Sequence, residues 1–174
     1  MTLKLILPTE EYREEWYSII QEIEEVEEKI TPLALKGNTN DYTEYLKIVE
    51  NNSKGIDLPT HIVPSDIYFL VEEGSKRILG AIDIRHELNA YLHTYGGNIG
   101  YGIRPSERKK GYATQMLNLA LEQCKILGMQ KVLITCFKDN VGSAKTILNN
   151  GGVLENEVAE NGILKQRYWI TIEK

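Results

Sequence analysis

The segment from 103 to 121 ends a strand, breaks at a proline and runs through a basic turn into a helix. The turn holds three consecutive cations, Arg108, Lys109 and Lys110, followed by Gly111. A helix N-terminus presents unpaired N–H groups and a partial positive charge, which suit a phosphate or diphosphate. The glycine lets the backbone approach such a ligand closely. The alternative is a solvated basic turn before an ordinary helix.

The first part of the chain predicts one strand followed by helices. An apolar strand at residues 3–7 stops at Pro8, and Thr9 can cap the helix that follows. Apolar residues recur at helical spacing on one side of that helix, and we interpret its acidic other side as a solvated face rather than a binding surface. The irregular stretch 31–64 contains a short helix over 41–50, and such stretches often shape binding sites. The acidic face consists of Glu10, Glu11, Glu14, Glu15, Glu22, Glu24, Glu25, Glu27 and Glu28.

Three strands lie between this stretch and the basic turn, at residues 67–71, 78–85 and 98–103. The third contains Gly100 and Gly102, which is unusual inside a strand. Glycine there predicts a bulge or the close approach of another backbone or a ligand.

The helix that begins after Gly111 is followed by a strand, a helix and a hairpin. Residues 132–137 are almost continuously apolar, as in a buried parallel strand. The next helix starts at residue 139 or 140, and Asn161-Gly162 predicts a tight turn between two final strands, 153–158 and 163–172. This order predicts one mixed α/β domain over residues 1–174, with antiparallel and parallel strand pairing.

Composition limits the classes of function. The chain carries a net charge of −5 and no long basic stripe, which argues against nucleic acid as the main partner. No apolar run approaches the ~20 residues of a membrane span, and the N-terminus lacks the apolar core of a signal peptide. Cys124 and Cys136, without a C-x-x-C pair, predict a cytoplasmic location and no cysteine-based zinc site. The histidines lack metal-ligand spacing, so we expect no metal.

Two motifs give the sequence a resemblance to a known family. Ile103-Arg104-Pro105 is followed by Arg108-Lys109-Lys110-Gly111-Tyr112-Ala113, and Asn140 and Ser143 open the next helix. With these motifs and its element order, the chain resembles the GNAT superfamily of acyl-CoA-dependent N-acyltransferases over nearly its whole length. The resemblance implies an α/β fold whose mixed central sheet is splayed between its fourth and fifth strands, with helices on both faces.

The resemblance also implies where acetyl-CoA, the cosubstrate, binds. Amides of the turn would hold the CoA diphosphate, and the pantetheine arm would lie in the splay, paired with backbone near Tyr101 and Ile103. A backbone N–H there would polarise the thioester carbonyl. The residues expected to contact the cofactor are Ile103, Arg108, Lys109, Lys110, Gly111, Tyr112, Ala113, Thr114, Asn140 and Ser143.

Ile147 departs from the family pattern. Many relatives place a tyrosine there, next to the thioester sulfur, as general acid. Isoleucine cannot donate a proton, so another group or water protonates the departing thiolate, or it leaves unprotonated, as a thiol pKa of about 8.5 allows. The departure keeps an alternative open, a non-catalytic acyl-CoA-binding or regulatory domain on the same fold.

An attacking amine must lose a proton to a base or a water chain. Asp83 shares a strand face with Arg85, so it is either that base or half of a buried ion pair. His86 and Glu87 are either a base with its orienting carboxylate or a surface pair, and Tyr101 points into the cleft or into the core. The predicted catalytic residues are Asp83, Glu87 and Tyr101.

The sequence thus predicts an N-acetyltransferase that moves an acetyl group from acetyl-CoA to a primary amine by direct attack. The acceptor is a small amine or a peptide, and its identity stays open. The acceptance of longer acyl groups and the formation of a homodimer also stay open. A module for some other phosphorylated ligand is the remaining alternative.

Overall fold

The computed structural model describes residues 1–173, which form seven strands and four α-helices in the predicted order. The segment between the third and fourth strands, expected as a loop, contains a one-turn π-helix at Leu92–Gly96. The elements are β1 (Leu3–Ile6), α1 (Arg13–Glu25), α2 (Tyr42–Lys54), β2 (Ser65–Glu72), β3 (Gly80–Arg85), β4 (Ile99–Ile103), α3 (Tyr112–Ile126), β5 (Lys131–Phe137), α4 (Val141–Asn149), β6 (Val153–Glu160) and β7 (Ile163–Thr171).

The strands form two antiparallel sheets. Sheet A has the order β1-β2-β3-β4 and sheet B the order β5-β7-β6. Between β4 and β5, the amide of Asn98 donates to the carbonyl of Leu133 at 2.7 Å. The parallel pairing expected for residues 132–137 does not form a ladder within residues 1–173, because β5 pairs in antiparallel register with β7 and parts from β4.

Helices cover both faces of sheet A, and each face has its own apolar core. Ile82 and Ile84 of β3 pack into the core beneath α3 and α4, whereas Ala81 packs into the core beneath α1 and α2. This is the alternation that a strand with a period of two residues dictates. The core under α1 and α2 centres on Trp16, whose indole N–H donates to the carbonyl of Leu35 at 2.6 Å.

Gly102 admits the backbone of a neighbouring segment, whereas Gly100 faces the side chains of Arg85 and Pro32. A Cβ at Gly102 would collide with the carbonyl oxygen of Thr31, and one at Gly100 would lie 3.5 Å from Pro32 Cβ. The register of β4 against β3 is unbroken, so β4 carries no bulge against that strand. Close backbone approach, one of the expectations for these glycines, is confirmed at Gly102, where the segment between α1 and α2 packs onto β4.

Candidate active site

The N-terminus of α3 presents a row of unpaired backbone amides. Lys109 and Gly111 adopt left-handed φ values of 62° and 81°, and no side chain caps the helix. Within residues 1–173, the amides from 109 to 114 donate to no protein acceptor. Consecutive free N–H groups at a helix start attract anions through hydrogen bonding and partial positive charge. The turn is therefore built to hold an anionic group through its main chain.

Two of the three cations in this turn are already paired. The guanidinium of Arg108 donates to both carboxylate oxygens of Glu28, at 2.8 and 2.7 Å, and this bonding lowers the pKa of Glu28. Lys110 donates to Glu107 at 2.8 Å, and its ammonium lowers the pKa of that carboxyl group. Within the described range, only Lys109 of the three makes no ion pair. The net charge of the turn is thus smaller than three consecutive cations suggest.

Glutamates of α1 fasten the residues that precede the turn. The buried guanidinium of Arg104 donates to Glu15 at 2.8 Å and to Glu22 at 3.1 Å, and its Nε–H donates to the Ile78 carbonyl at 2.7 Å. Glu22 also accepts from the amide of Ser106 at 2.6 Å. The acidic side of α1 is therefore not only a solvated face. Sequence reasoning missed the role of Arg104, because its glutamate partners on α1 are 82 and 89 positions away in the chain.

Tyr101 extends from β4 to the start of α4. Its phenol oxygen lies 2.7 Å from Ser143 Oγ, and burial raises its pKa to about 12. Asn140 caps α4, because its Oδ1 accepts from the amide of Ser143 at 3.1 Å. Burial raises the pKa of the nearby Cys136 thiol, and Ser143 opposes that rise. A tyrosine, a serine and a cysteine therefore meet where β4 and β5 have parted.

Ile147 lies wholly inside the core, packed against Gly152. Position 147 therefore provides packing, and the hydroxyl groups that approach each other between β4 and the start of α4 are those of Tyr101 and Ser143. Asn150, at the end of α4, donates to the carbonyl of Thr114 at 3.2 Å and so ties α4 to the first turn of α3. Sequence reasoning missed this link because it depends on the packing of two helices.

Asp83 is buried on the face of sheet A that α1 and α2 cover. It is 4% exposed, and its Oδ2 lies 3.5 Å from Arg85 Nε. Its Oδ1 has no hydrogen-bond partner within residues 1–173, and burial raises its pKa, with Arg85 opposing the rise. In the register of β3 with β4, Asp83 stands opposite Gly100 and Ile82 opposite Tyr101. Asp83 and Tyr101 therefore lie on opposite faces of the sheet.

Glu87 is not brought together with the other two predicted catalytic residues. It is exposed and lies two residues after Arg85, the last residue of β3. The Arg85 amide bonds Asn98, which contacts sheet B, so Glu87 lies past the end of the region where β4 and β5 are parted. Its neighbour His86 bonds Asp66, with 2.8 Å between Nε2 and Oδ2. Of the two alternatives for His86 and Glu87, a base with its orienting carboxylate is not what the structure shows, because the partner of His86 is Asp66. A catalytic role for Glu87 stays a prediction.

A cavity of about 490 Å³ adjoins the start of α3. It extends to the end of α4 and the start of β1, and its walls carry several amide side chains that can both donate and accept hydrogen bonds. The residues that line the cavity are Met1, Thr2, Leu3, Thr114, Gln115, Asn118, Leu119, Asn149 and Asn150.

No helix within residues 1–173 is long and apolar enough to cross a membrane. The same residues contain no group of three His, Cys, Asp or Glu side chains that could hold a metal ion.

Comparison with known proteins places this geometry in a family. The protein family described as "Acetyltransferase (GNAT) domain" matches this chain over residues 2–153. The uncharacterized N-acetyltransferase YjdG of Bacillus subtilis is 28% identical over 137 residues, which cover 76% of this chain and 70% of that protein. A shorter match, 33% identical over 76 residues, is to protein translocase subunit SecA of Prochlorococcus marinus, of which this chain spans only 8%.

Solved structures share the fold. The self-immunity acetyltransferase MccE for microcin C7, in complex with acetyl-CoA and AMP, has a TM-score of 0.67 and 23% identity, covering 98% of this chain and 92% of that chain. RimL, the ribosomal L7/L12 α-N-protein acetyltransferase, has a TM-score of 0.70 and 19% identity, covering 99% of this chain and 95% of that chain. That RimL structure holds coenzyme A in a disulfide with one of its own cysteines.

Proposed function

Since the chain belongs to the GNAT acetyltransferase family and its cosubstrate is acetyl-CoA, we propose that it acetylates a primary amine by direct attack on the thioester. The observation that carries the proposal is the row of free amides at 109–114 beside a place where two sheets part. The amides and Lys109 hold the diphosphate, and the cavity beside α3 offers room for the rest of the nucleotide.

The pantetheine arm occupies the space between β4 and β5. Within the described residues β4 pairs only with β3, so the main-chain groups on its other edge near Tyr101 and Ile103 are available to the arm. An N–H on that edge then stabilises the negative charge that develops on the thioester oxygen. Asn140 and Ser143, at the start of α4, border the arm from the other side.

The amine attacks the thioester carbonyl, and the tetrahedral intermediate collapses as the carbon–sulfur bond breaks. Tyr101 donates a hydrogen bond to the departing thiolate while accepting one from Ser143. A phenol with a pKa of about 12 keeps its proton beside a thiolate whose conjugate acid has a pKa of about 8.5, so the tyrosine stabilises the leaving group without fully protonating it. The amine proton passes through water to Asp83 on the opposite face of sheet A from Tyr101. That carboxylate suits a proton acceptor, because burial raises its pKa and its Oδ1 has no hydrogen-bond partner among the described residues.

The acceptor is a small amine or a peptide amine. A protein N-terminus is the first class to test, because RimL, which shares the fold, is an α-N-protein acetyltransferase and therefore acts on an α-amino group. A cytoplasmic location is a further part of the proposal, and the oligomeric state stays open.

Calorimetric titration of coenzyme A and thiol release from acetyl-CoA with a panel of amines test this function. Saturable binding together with amine-dependent thiol release supports it. Binding without release from any amine supports the non-catalytic alternative, and no binding to folded protein contradicts both. Stabilisation by nucleoside phosphates but not by coenzyme A would support a module for another phosphorylated ligand.

Cys136 gives a test of where the thiol end lies. Its thiolate should attack the disulfide of oxidised coenzyme A, forming a Cys136–CoA disulfide and releasing one coenzyme A. Mass spectrometry should find the adduct on the wild type and lose it in Cys136→Ser. Cys124→Ser is the matched control, because Cys124 is fully buried and burial raises its pKa to about 12. Modification of Cys124, or of neither cysteine, would contradict the placement of the arm.

A further inference from the structure

The two sheets meet at Asn98, which bonds both neighbouring strands. Its amide donates to the Leu133 carbonyl at 2.7 Å, and its Oδ1 accepts from the Leu133 amide at 2.9 Å. On its other side, its carbonyl accepts from the Arg85 amide at 2.7 Å, and its Nδ2 donates to the Arg85 carbonyl at 3.3 Å. Asn98 is 6% exposed, so these bonds form out of contact with solvent.

The side chain of Asn98 takes a position that a main-chain carbonyl holds in an ordinary sheet. The Leu133 amide needs an acceptor because it is buried, and the asparagine amide group supplies one. The backbone of β4 is then free to turn away from β5 after a single main-chain bond. Asn98 therefore fixes the point at which the sheets part.

The residues around Asn98 make this closed end rigid. A Cβ at Gly97 would lie 2.5 Å from the Leu133 oxygen, so the backbones are in close contact there. Arg85 Nη1 donates to the carbonyls of Gly96 and Gly97 at 3.1 and 2.9 Å. The gap therefore cannot lengthen past Asn98 without breaking several buried hydrogen bonds.

We propose that Asn98 determines which acyl groups the enzyme accepts, by setting the closed end of the gap. The inference rests on the proposed function, in which the arm enters from the α3 end. The acyl group is the tip of that arm, so it is the part that meets the closed end. We expect an acetyl group to be accepted and each additional methylene to press against the Asn98–Leu133 contact.

Acyl selectivity tests this inference in the wild type and in Asn98→Ala. The wild type should use acetyl-CoA with a kcat/KM at least about tenfold above that for butyryl-CoA. A ratio of about this size is typical of a pocket that rejects added methylenes. Asn98→Ala should reduce this ratio about tenfold, and the Leu133 amide should lose hydrogen-exchange protection. Asn89→Ala is the matched control, because it also removes an asparagine-to-backbone bond, to the Leu92 amide at 2.9 Å, outside the gap.

An unchanged ratio in folded Asn98→Ala would overturn the inference, as would equal use of acetyl-CoA and butyryl-CoA by the wild type. Asn98→Ser, which keeps a polar group at the position, is the second variant if Asn98→Ala does not fold, and the wild-type ratio is decisive in either case. Failure of coenzyme A to bind would instead contradict the proposed function, so the two failures are distinguishable.

Discussion

The helices α3 and α4 both start beside the gap between the two sheets, yet they start in opposite ways. At α4, Asn140 Oδ1 accepts from the Ser143 amide at 3.1 Å, as an N-cap does. At α3, Gly111 stands in the cap position. Among residues 1–173, no side chain caps this helix, and the amides from 109 to 114 donate to no protein acceptor.

The contrast separates a structural helix start from one that serves a ligand. The helix α2 is also capped, since Asp41 accepts from the Glu44 amide at 3.0 Å. A glycine in the cap position costs only about a few tenths of a kcal/mol relative to a capping side chain. The helix α1 also lacks a side-chain cap, but it continues directly from a 3-10 turn at Glu10–Tyr12. The start of α3 has neither a capping side chain nor amide acceptors among the described residues, which is consistent with a ligand supplying the missing acceptors.

The largest expected effect is at Gly111. Gly111→Val should weaken coenzyme A binding about 100-fold, because moving the turn removes at least two hydrogen bonds to a charged group, each worth ~1.5–3 kcal/mol. Gly74→Val is the matched control, since Gly74 also has a left-handed φ, 82°, and open space around it. Both variants should lose similar stability in thermal unfolding. Equal affinities of the two variants in calorimetry would show that the α3 amides do not bind the diphosphate.

The next effect concerns the leaving group. Tyr101→Phe should lower kcat about 10- to 100-fold with little change in KM for acetyl-CoA, because it removes one hydrogen bond to a developing thiolate. Tyr168→Phe is the control, as it removes another buried phenol that bonds one side chain, at 2.7 Å from Gln166. Equal kcat values for the two variants would count against the role of Tyr101.

The pH dependence of kcat sharpens the same point. Burial raises the pKa of Tyr101 to about 12, so its phenol is protonated at every lower pH. We therefore expect no fall in kcat from loss of this proton up to about pH 10. If kcat of the wild type falls below that pH and kcat of Tyr101→Phe does not, the phenol loses its proton at a much lower pH than this pKa indicates.

The start of α3 was predictable from the sequence because a proline, a basic turn and a glycine are contiguous. The hairpin at Asn161–Gly162 was predictable for the same reason, and both residues have the positive φ that such a turn requires. The pairing of Arg104 with Glu15 was not, because the partners are 89 positions apart. The role of Asn98 depends on a side chain replacing a main-chain acceptor, which no local pattern reports.

A smaller effect is expected at the capped helix. Asn140→Ala should lower the free energy of unfolding by about 1 kcal/mol, as the loss of an N-cap does. Asp41→Ala at α2 should cost about the same. Coenzyme A affinity should fall a few-fold in Asn140→Ala only, because the free Nδ2 of Asn140 borders the proposed arm. A fall as large as that of Gly111→Val would mean that α4 shares the diphosphate, and the contrast between the two helices would fail.

The smallest effect tests whether side-chain charge or main-chain amides bind the anion. Glu28→Gln leaves Arg108 charged without its carboxylate partner, so coenzyme A should bind about two- to fivefold more tightly at low salt. Arg108 keeps the pKa of Glu28 below its ordinary value, so wild-type Glu28 is ionised at pH 7. Glu50→Gln is the control, because Glu50 pairs with Lys54 at 2.6 Å on α2. The gain should vanish at high salt, whereas the loss in Gly111→Val should persist, because a displaced backbone is not restored by screening.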